Sequence, residues 1–423
     1  MIDINKIKEG NLHSIYPSLY GSNFDENKLD TRFINLLKTH KELFNKDSAD
    51  LFSTAGRSEL GGNHTDHNLG KVIAATINLD TIAAVNKTDD NVAVIISEGF
   101  DPVKVDLTSL DYVKSEENTT DSLVRGIAAA FKNRGLNFGG FIANTTTSVL
   151  KGSGLSSSAA IEVLCATIFN HLYNSDILDP VELAKISQFA ENTYYGKPSG
   201  LMDQCGCACG GIISIDFKNN SNPQIKKIPF SFAEHGYDLL IIDTKGSHDD
   251  LTHCYSAIPY EMKEVAHYFN KEVLREVDFN DFLNNIEDLR KTLKNDRAIL
   301  RAFHYFNENK RVDKMVKALE NDELENYFSL VNASGQSSFN YLQNVYNDEN
   351  PKEQGLSLAL ALLESFLDDI GAKRVHGGGF AGTVQAYVKH EKSEQIINKV
   401  ELLFNKGCVT KLNIRDKATT CFA

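Results

Sequence analysis

Residues 150–161, LKGSGLSSSAAI, constrain the fold most, because they place glycines and a run of three serines between a predicted strand and an apolar helix. The strand is FIANTTTSVL and the helix begins SSAAIEVL. Glycines allow a tight turn, and the first free N–H groups of a helix attract phosphate. The Gly-Lys-Ser/Thr end of a Walker A loop is absent. The segment therefore predicts either an anion-binding turn or an ordinary serine-capped helix start.

Composition is typical of a globular protein. The 423 residues suffice for two large domains or three small ones. The hydrophobic fraction is 42%, and no stretch reaches the ~18 to 20 apolar residues of a membrane span. The net charge of −13 argues against a general nucleic-acid-binding surface. The start MIDINKIKEG has no continuous apolar region of the kind that a signal peptide needs, so we expect a cytoplasmic protein. With no apolar span and a negative net charge, we expect neither a membrane nor nucleic acid as a partner.

The first half of the chain predicts strands and helices. Residues 71–98 are rich in Val, Ile and Thr on both sides of TDDN, which predicts a β-hairpin. Helical spacing predicts a helix over 121–134 with Asp121 as its N-cap. A second helix is predicted after Asp179, where Glu182 would complete a capping box.

The second half predicts strand, then helix, then strand. YDLLIIDT, 237–244, predicts a buried strand, and the chain from Pro259 to about Phe366 is helix-rich. GTVQAYV and CVTKLNI then predict strands again. This order indicates an α+β fold with two domains, residues 1–234 and 235–423.

A second glycine-rich stretch, HGGGFAGTVQAYV, contains GxGxxG at Gly377, Gly379 and Gly382. A dinucleotide-binding site requires a helix after these glycines and an acidic residue ~20 positions later. The strand-like TVQAYV contradicts that site, which leaves a nicotinamide-dependent oxidoreductase as a distant alternative. The stretch predicts a glycine turn that approaches a ligand or a neighbouring loop.

AGRSELGGNHTDHN, residues 55–68, combines Arg57 with two histidines, an aspartate and two asparagines. His64 and His67 are three residues apart, the HExxH zinc pattern is absent, and no third ligand is evident. Polar side chains that offer both donors and acceptors suit a pocket for several hydroxyl groups. The stretch therefore favours a hydroxyl-binding site over a metal site.

Two carboxylates and a cysteine cluster follow. Glu191 and Asp203 could serve as a metal ligand and a base, although each alone is typical of a solvated surface. Seven cysteines without regular spacing suit a reduced compartment. Cys205, Cys207 and Cys209 could form a metal half-site, but small buried thiols are favoured because no second ligand pair is evident.

These stretches resemble, in order and approximate spacing, the motifs of the galactokinases of the GHMP small-molecule kinase superfamily. AGRSELGGNHTDHN resembles the galactose signature PGRxNLIGEHTDYN, LKGSGLSSSAA the phosphate loop PxGxGLSSSAA, and HGGGFAGTVQAYV the motif GGGFGGxxxxL. AENTYYGKPSGLMDQ is similar to AExxxxGxxxGxMDQ. The likeness extends over roughly residues 15–410.

The resemblance implies a two-domain GHMP kinase fold with its active site in the cleft between domains, ATP as co-substrate and Mg²⁺ as cofactor. Asp203 matches the proposed base for the anomeric hydroxyl, and Arg57 the cation beside it, which should keep Asp203 ionised. Ser158 and Glu191 match metal ligands. The loop around the ATP phosphates corresponds to Gly152, Ser153, Gly154, Leu155, Ser156, Ser157 and Ser158. The sugar-binding positions correspond to Asn63, His64, Asp66, Gly200 and Tyr255.

The chain departs from the family pattern within these motifs. Asn63 replaces the glutamate that accepts from the sugar's C6 hydroxyl, and an asparagine would not repel a C6 carboxylate. Plant galacturonate kinases likewise lack that glutamate and carry a histidine at the tyrosine position. One lost hydrogen bond typically costs ~0.5 to 1.5 kcal/mol, so galactose is not excluded. The other exchanges are His67 for tyrosine, Glu59 for asparagine, Ala55 for proline and Ala381 for glycine.

We therefore expect an ATP-dependent sugar 1-kinase that favours galactose, with galacturonate as the second candidate substrate. A catalytically inactive sugar-sensing regulator on the same fold is the alternative from a different class. The presence of Arg57, Ser158, Glu191 and Asp203 favours the enzyme. We expect a small-molecule sugar and ATP as its partners, and a monomeric chain.

Overall fold

Two β-sheets with helices packed on their faces make up the protein. The computed structural model describes residues 1–21, 24–149, 154–197, 199–246, 251–347, 349–367 and 371–422. Within these residues, nine strands form one sheet and four form another. The expected α+β class is confirmed.

The strands in chain order are β1 Ile2–Asp3, β2 Ser48–Gly61, β3 Lys71–Lys87, β4 Val92–Ser97, β5 Val103–Asp106, β6 Phe141–Thr147, β7 Ile212–Asp216, β8 Gln224–Ile228, β9 Tyr237–Asp243, β10 Ala372–His376, β11 Thr383–Lys389, β12 Val409–Leu412 and β13 Thr420–Cys421. The helices are α1 Ile4–Lys8, α2 Tyr16–Tyr20, α3 Glu26–Phe44, α4 Thr120–Asn133, α5 Ser157–Asn174, α6 Pro180–Ala190, α7 Met202–Ala208, α8 Thr252–Tyr268, α9 Phe279–Asn284, α10 Ile286–Leu293, α11 Asp296–Glu320, α12 Leu324–Ser337, α13 Gly355–Glu364 and α14 His390–Phe404. No helix of the described residues is long and apolar enough to span a bilayer.

The long strand β3 organises the first sheet. Its first part pairs with β7 and its second part with β6, while β2 lies along its other edge. The strand order is β1-β2-β3-β6-β4-β5, with β8 beside β7 and β13 beside β2. The site-bearing segments at the ends of β2 and β6 are therefore fixed to one shared strand.

The predicted hairpin over residues 71–98 is wrong in its pairing. Both strands exist, as β3 and β4, but β6 lies between them, antiparallel to β3 and parallel to β4. The hairpin partner of β4 is β5. A turn-forming sequence shows where a strand ends, whereas the strand that pairs with it can come from later in the chain.

The helix starts are confirmed with two corrections. The side chain of Asp179 caps α6 by accepting from two backbone N–H groups, as predicted. The cap of α4 is Thr119 rather than Asp121, which lies in the first turn, where its charge suits the helix dipole. Helix α8 begins at Thr252, so Pro259 lies inside it. A proline inside a helix removes one backbone hydrogen bond, and the helix continues through Pro259 with a buried face that includes Ile258, Met262 and Val265.

The second sheet has the order β10-β11-β9-β12 and is antiparallel throughout. One apolar cluster joins the two sheets, since it includes Leu60 and Val72 of the first sheet and Ile241 and Tyr387 of the second. Sheet membership changes between β8 and β9, but β13 returns to pair with β2. The division of the chain at residues 234 and 235 stays a prediction.

A buried carboxylate, Asp80 in β3, connects the termini to the first sheet. It accepts hydrogen bonds from Arg32 at 2.5 Å, from Tyr20 at 2.9 Å and from Ser53 at 2.6 Å, and Arg415 lies 3.8 Å away. The Asp80 side chain is 0% exposed. A buried ion network of this kind is costly to break, because removing one charge leaves the others unpaired.

We predict that Asp80→Ala lowers the free energy of unfolding by about 3 to 5 kcal/mol, since it leaves two arginines without their shared counter-ion. Chemical denaturation monitored by circular dichroism measures the change. Asp47→Ala is the matched control, because Asp47 is 81% exposed and forms a surface ion pair with Lys41; its effect should stay below about 1 kcal/mol. Equal effects of the two substitutions would contradict a structural role for the Asp80 network.

Candidate active site

An ion pair between Arg57 of β2 and Asp203 of α7 lies at the centre of the predicted site. Arg57 Nε and Nη2 both donate to Asp203 Oδ1, at 2.9 and 2.7 Å. Helix α7 can approach β2 this closely because a Cβ atom at Gly206 would lie 2.7 Å from Arg57 Cβ. The two residues that the sequence analysis paired as base and cation are therefore in direct contact.

The environment of Asp203 keeps this carboxylate ionised. Burial would raise its pKa, but the Arg57 charge and a 2.7 Å hydrogen bond from Ser156 Oγ to Oδ2 outweigh burial, so the pKa lies below its usual value. The side chain is 34% exposed. An ionised, partly accessible carboxylate is what proton acceptance from a substrate requires.

The described part of the phosphate turn is bonded to the same arginine. Arg57 Nη1 donates to the Gly154 carbonyl, and the Arg57 backbone N–H donates to the Leu155 carbonyl at 3.0 Å. Ser157 and Ser158 begin the 18-residue helix α5, whose first N–H groups suit an anion. Gly152 and Ser153 of the predicted ATP loop lie outside the described residues.

Glu191, the predicted metal ligand, is buried directly after α6. Its Oε1 accepts from Lys197 Nζ at 2.8 Å. Its Oε2 accepts from Gln204 Nε2 at 2.8 Å and from Ser199 Oγ. The Glu191 carboxylate thus lies beside α7, where it bonds to Gln204, the residue that follows Asp203.

The surroundings of Glu191 fit a hard cation. Gln204 also donates to Glu162, which lies one helical turn after the exposed Ser158. Glu162 Oε1 and Gln204 Oε1 are buried and have no hydrogen-bond partner in the described part of the chain. Burial, and next the Glu191 charge, raise the pKa of Glu162 to about 8. Mg²⁺ prefers oxygen ligands, and the unpartnered oxygens of Glu162 and Gln204 lie beside Glu191.

The predicted sugar-binding segment, residues 61–68, is joined to the glycine turn formed by residues 377–379. Asn63 Nδ2, His64 Nε2 and Tyr255 Oη donate, in that order, to the carbonyl groups of the three glycines, at 2.8, 2.9 and 3.0 Å. The strand β11 follows this turn, as the sequence predicted. The prediction of a glycine turn that approaches a neighbouring loop is confirmed.

Every hydrogen-bonding position of the Asn63 side chain is occupied by another group of the protein. Its Nδ2 donates to Glu59 at 3.2 Å and to Gly377, and its Oδ1 accepts from Ser338 at 3.2 Å and from Asn344 at 2.9 Å. An amide has two donor and two acceptor positions. All four are occupied and Asn63 is 0% exposed, so its side chain has no position left for the predicted sugar contact.

The exchanged residues at positions 59 and 63 contact each other. The family motif has asparagine at the first position and glutamate at the second, whereas this chain has them reversed. Glu59 accepts from Asn63 and from Arg374 in a buried ion pair. The carboxylate and the amide thus contact each other in this chain, and the carboxylate is paired within the core.

Asp66 and Gly200 meet next to the ion pair, because a Cβ atom at position 200 would lie 2.6 Å from Asp66 Oδ2. Burial, and then the charge of Asp203, raise the pKa of Asp66 to about 6. Burial lowers the pKa of His64 to about 4, so its ring is neutral near pH 7. The structure thus brings Asp66, Gly200 and Asp203 together, and places His64 and Tyr255 at the glycine turn.

Helix α11 supplies residues that the sequence analysis missed. His304 Nε2 donates to the Asn63 carbonyl at 2.9 Å, and Glu308 Oε1 accepts from the Gly62 backbone N–H at 3.1 Å. Both side chains are buried. Their i, i+4 spacing places them on one helix face, which is a sequence signal for a shared partner.

Comparisons with known proteins agree with this geometry. The model "GHMP kinases N terminal domain" matches residues 122–211, and "Galactokinase galactose-binding signature" matches residues 38–87. A galactokinase of Streptomyces coelicolor is 30% identical over 373 residues, which cover 86% of this chain and 91% of that protein. The chain belongs to the galactokinase family.

Other relatives and solved structures extend this result. A galactokinase of Clostridium tetani is 29% identical over 389 residues, covering 91% of this chain and 94% of that protein. The structure of Lactococcus lactis galactokinase complexed with galactose has a TM-score of 0.78 at 23% identity, over 92% of this chain and all of that one. A mevalonate kinase has a TM-score of 0.62 at 16% identity, over 87% of this chain and 99% of that one. The expected GHMP kinase fold is confirmed.

We predict that Gly379→Ala destabilises the protein by clearly more than Gly407→Ala. Both glycines have φ = +81°, but a Cβ atom at position 379 would collide with the Asn344 carbonyl oxygen, whereas nothing lies within 4 Å at position 407. The control substitution should cost only the left-handed backbone penalty of about 1 to 2 kcal/mol. Chemical denaturation of both variants gives the comparison, and equal losses would show that the glycine turn tolerates displacement.

Proposed function

We propose that the protein is an ATP-dependent kinase that phosphorylates the anomeric hydroxyl of galactose. One observation carries the proposal: Arg57 and Ser156 hold an ionised Asp203 between Asp66 and the phosphate turn. Membership of the galactokinase family supports it. A galactokinase complexed with galactose also shares the fold over 92% of this chain.

Phosphoryl transfer depends mainly on positioning and on charge neutralisation. Asp203 would accept the proton of the attacking hydroxyl, and Arg57 would stabilise the negative charge that develops beside it. The first N–H groups of α5 would bind the ATP phosphates. These roles require Asp203 and the phosphate turn to be fixed relative to each other. Arg57 supports this requirement because it bonds both to Asp203 and to the Leu155 carbonyl of the turn.

Mg²⁺ is proposed as the cofactor, held by Ser158 and Glu191. When bound, it would neutralise phosphate charge. The oxygen-rich surroundings of Glu191 support this assignment. Within the described residues, no group of three or more His, Cys, Asp and Glu side chains could hold a metal by itself. That agrees with a cation that takes part of its coordination from phosphate and water.

The sugar hydroxyls would be bound by Asp66, His64, Gly200 and Tyr255. Asp66 offers carboxylate oxygens beside the base, and the neutral His64 keeps one ring nitrogen as an acceptor. The side chain of Asn63 does not distinguish galactose from galacturonate by a hydrogen bond, because all four of its positions bond to the protein. Galactose is proposed as the substrate because the chain belongs to the galactokinase family and shares its fold with a galactokinase complexed with galactose.

A cytoplasmic location is proposed as well. Five cysteines are free thiols and buried, which suits a reducing compartment; they are Cys165, Cys205, Cys207, Cys209 and Cys408. Cys205, Cys207 and Cys209 lie in or directly after α7 with their side chains buried. This placement supports the interpretation of the cluster as packed thiols.

The test is an ATP-consumption assay over a sugar panel that includes galactose, glucose and galacturonate. We predict turnover with galactose, and NMR of the product should place the phosphate on C1. Asp203→Asn should lower kcat by roughly 10²- to 10⁴-fold because it removes the proton acceptor, while galactose binding by calorimetry stays within a few-fold. Galactose binding without turnover would indicate a sensor, and turnover of galacturonate alone would contradict the proposed substrate.

A further inference from the structure

Lys197 is a cation of the site that the proposed mechanism does not use. It lies within AENTYYGKPSGLMDQ, at a position that the family pattern AExxxxGxxxGxMDQ leaves open. Its ammonium group donates to Glu191 Oε1 at 2.8 Å, and its backbone N–H donates to the Glu191 carbonyl at 3.2 Å. The Lys197 side chain is 56% exposed, whereas that of Glu191 is 4% exposed. A half-exposed lysine therefore covers the buried carboxylate that is proposed to hold the metal ion.

The ammonium group of Lys197 is charged and close to the other carboxyl groups of the site. Partial burial would lower its pKa, but Glu191, and after it Asp203 and Glu162, raise the pKa above the usual lysine value. Asp203 in turn accepts from Ser156 of the phosphate turn at 2.7 Å. Lys197 thus lies beside the proposed metal ligand and within electrostatic reach of the proposed base.

Lys197 and a metal ion would compete for Glu191. The ammonium group bonds to Oε1, and Oε2 already accepts from Gln204 at 2.8 Å and from Ser199. Two cations on one carboxylate oxygen repel each other, so Glu191 can hold a metal ion on Oε1 only after it releases the ammonium group. Lys197 can leave because its long side chain is flexible and already half exposed.

The other cation beside the base, Arg57, is occupied by the protein. Each of its side-chain nitrogens donates to Asp203 or to the Gly154 carbonyl. In other phosphoryl-transfer enzymes, a lysine contacts the β- and γ-phosphates beside the metal ion. Lys197 has three N–H donors, of which the bond to Glu191 uses one. Once released from Glu191, this ammonium group can supply such a contact.

We propose that Lys197 is a phosphate-binding residue, which bonds to Glu191 in the absence of ATP and moves to the β- or γ-phosphate when the metal ion replaces it on Glu191. The inference rests on the proposed function, because it takes ATP to be the co-substrate. It assigns a charge for phosphate binding to a position that the family pattern does not specify.

The test is a double-mutant cycle between Lys197 and Glu191. Lys197→Met removes the charge and keeps an unbranched side chain of similar length, whereas Lys197→Arg keeps the charge. Both are made in the wild type and in Glu191→Gln, and thermal unfolding checks that the variants are folded. With Mg²⁺ present, calorimetry gives the dissociation constants of AMP and of an ATP analogue with an imido bridge between its β- and γ-phosphates.

Lys185→Met is the matched control. Lys185 Nζ bonds to Glu182 Oε1 at the same distance of 2.8 Å, and both residues lie in α6. Neither residue has a part in the proposed mechanism. The control therefore removes a lysine–glutamate pair of the same length without removing a proposed phosphate contact.

We expect Lys197→Met to weaken binding of the ATP analogue roughly 10-fold, the lower part of the range for a hydrogen bond between charged groups. AMP binding should not change, because AMP lacks the β- and γ-phosphates. Lys197→Arg should recover most of the loss, and Lys185→Met should have no effect. In Glu191→Gln, Lys197→Met should weaken binding of the ATP analogue at least as much, since the contact is with ATP.

An unchanged affinity of Lys197→Met for the ATP analogue would overturn the inference. So would a loss that disappears in Glu191→Gln, because Lys197 would then act only by holding Glu191 in place. Equal losses for AMP and the ATP analogue would have the same meaning. If the wild type phosphorylates galactose and Lys197→Met binds the analogue unchanged, only the inference fails. If the wild type does not bind the analogue, the proposed function fails and the inference fails with it.

Discussion

The ion pair between Arg57 and Asp203 is the interaction on which the site depends. A buried guanidinium is costly to desolvate, and it is retained here because each of its nitrogens has an acceptor. The same residue bonds to the phosphate turn through its side chain and its backbone. One side chain therefore lowers the pKa of Asp203, the proposed base, and also bonds to the proposed phosphate turn.

The second constraint is that the sugar-binding segment is held by the other half of the chain. The glycine turn between β10 and β11 accepts from Asn63, His64 and Tyr255, and α11 bonds to the backbone around Asn63. The strand β2 carries Arg57 at one point and leads into this segment at its end. Packing between the two sheets is consequently a requirement for the site and not only for stability.

Much of the site could be predicted from the sequence, because the reacting groups lie in short motifs whose chemistry is local. The serine turn and the glycine turn follow from the residues alone, whereas the roles of Asp203 as base and of Arg57 as its cation come from the resemblance to the galactokinases and stay predictions. The partners of Asn63 could not be found, since they come from Ser338 and Asn344, far along the chain. The exchange of Glu59 and Asn63 likewise has a meaning only when the contact between them is known.

The same holds for the fold: some features depend on neighbouring residues and others on residues far apart in the chain. Strand and helix positions follow from residue pattern, and the Asp179 cap was predicted correctly because a cap is a local structure. The pairing of β3 and β4 was not, because β6 enters between them from later in the sequence.

The most direct test of the central claim is a ¹³C NMR titration of the Asp203 carboxyl group in the wild type and in Arg57→Gln, with the signal assigned by its loss in Asp203→Asn. If Arg57 holds the carboxylate ionised against burial, the wild-type pKa lies below the usual aspartate value and the substitution moves it above that value. An Asp203 pKa that is the same in both proteins would contradict the account.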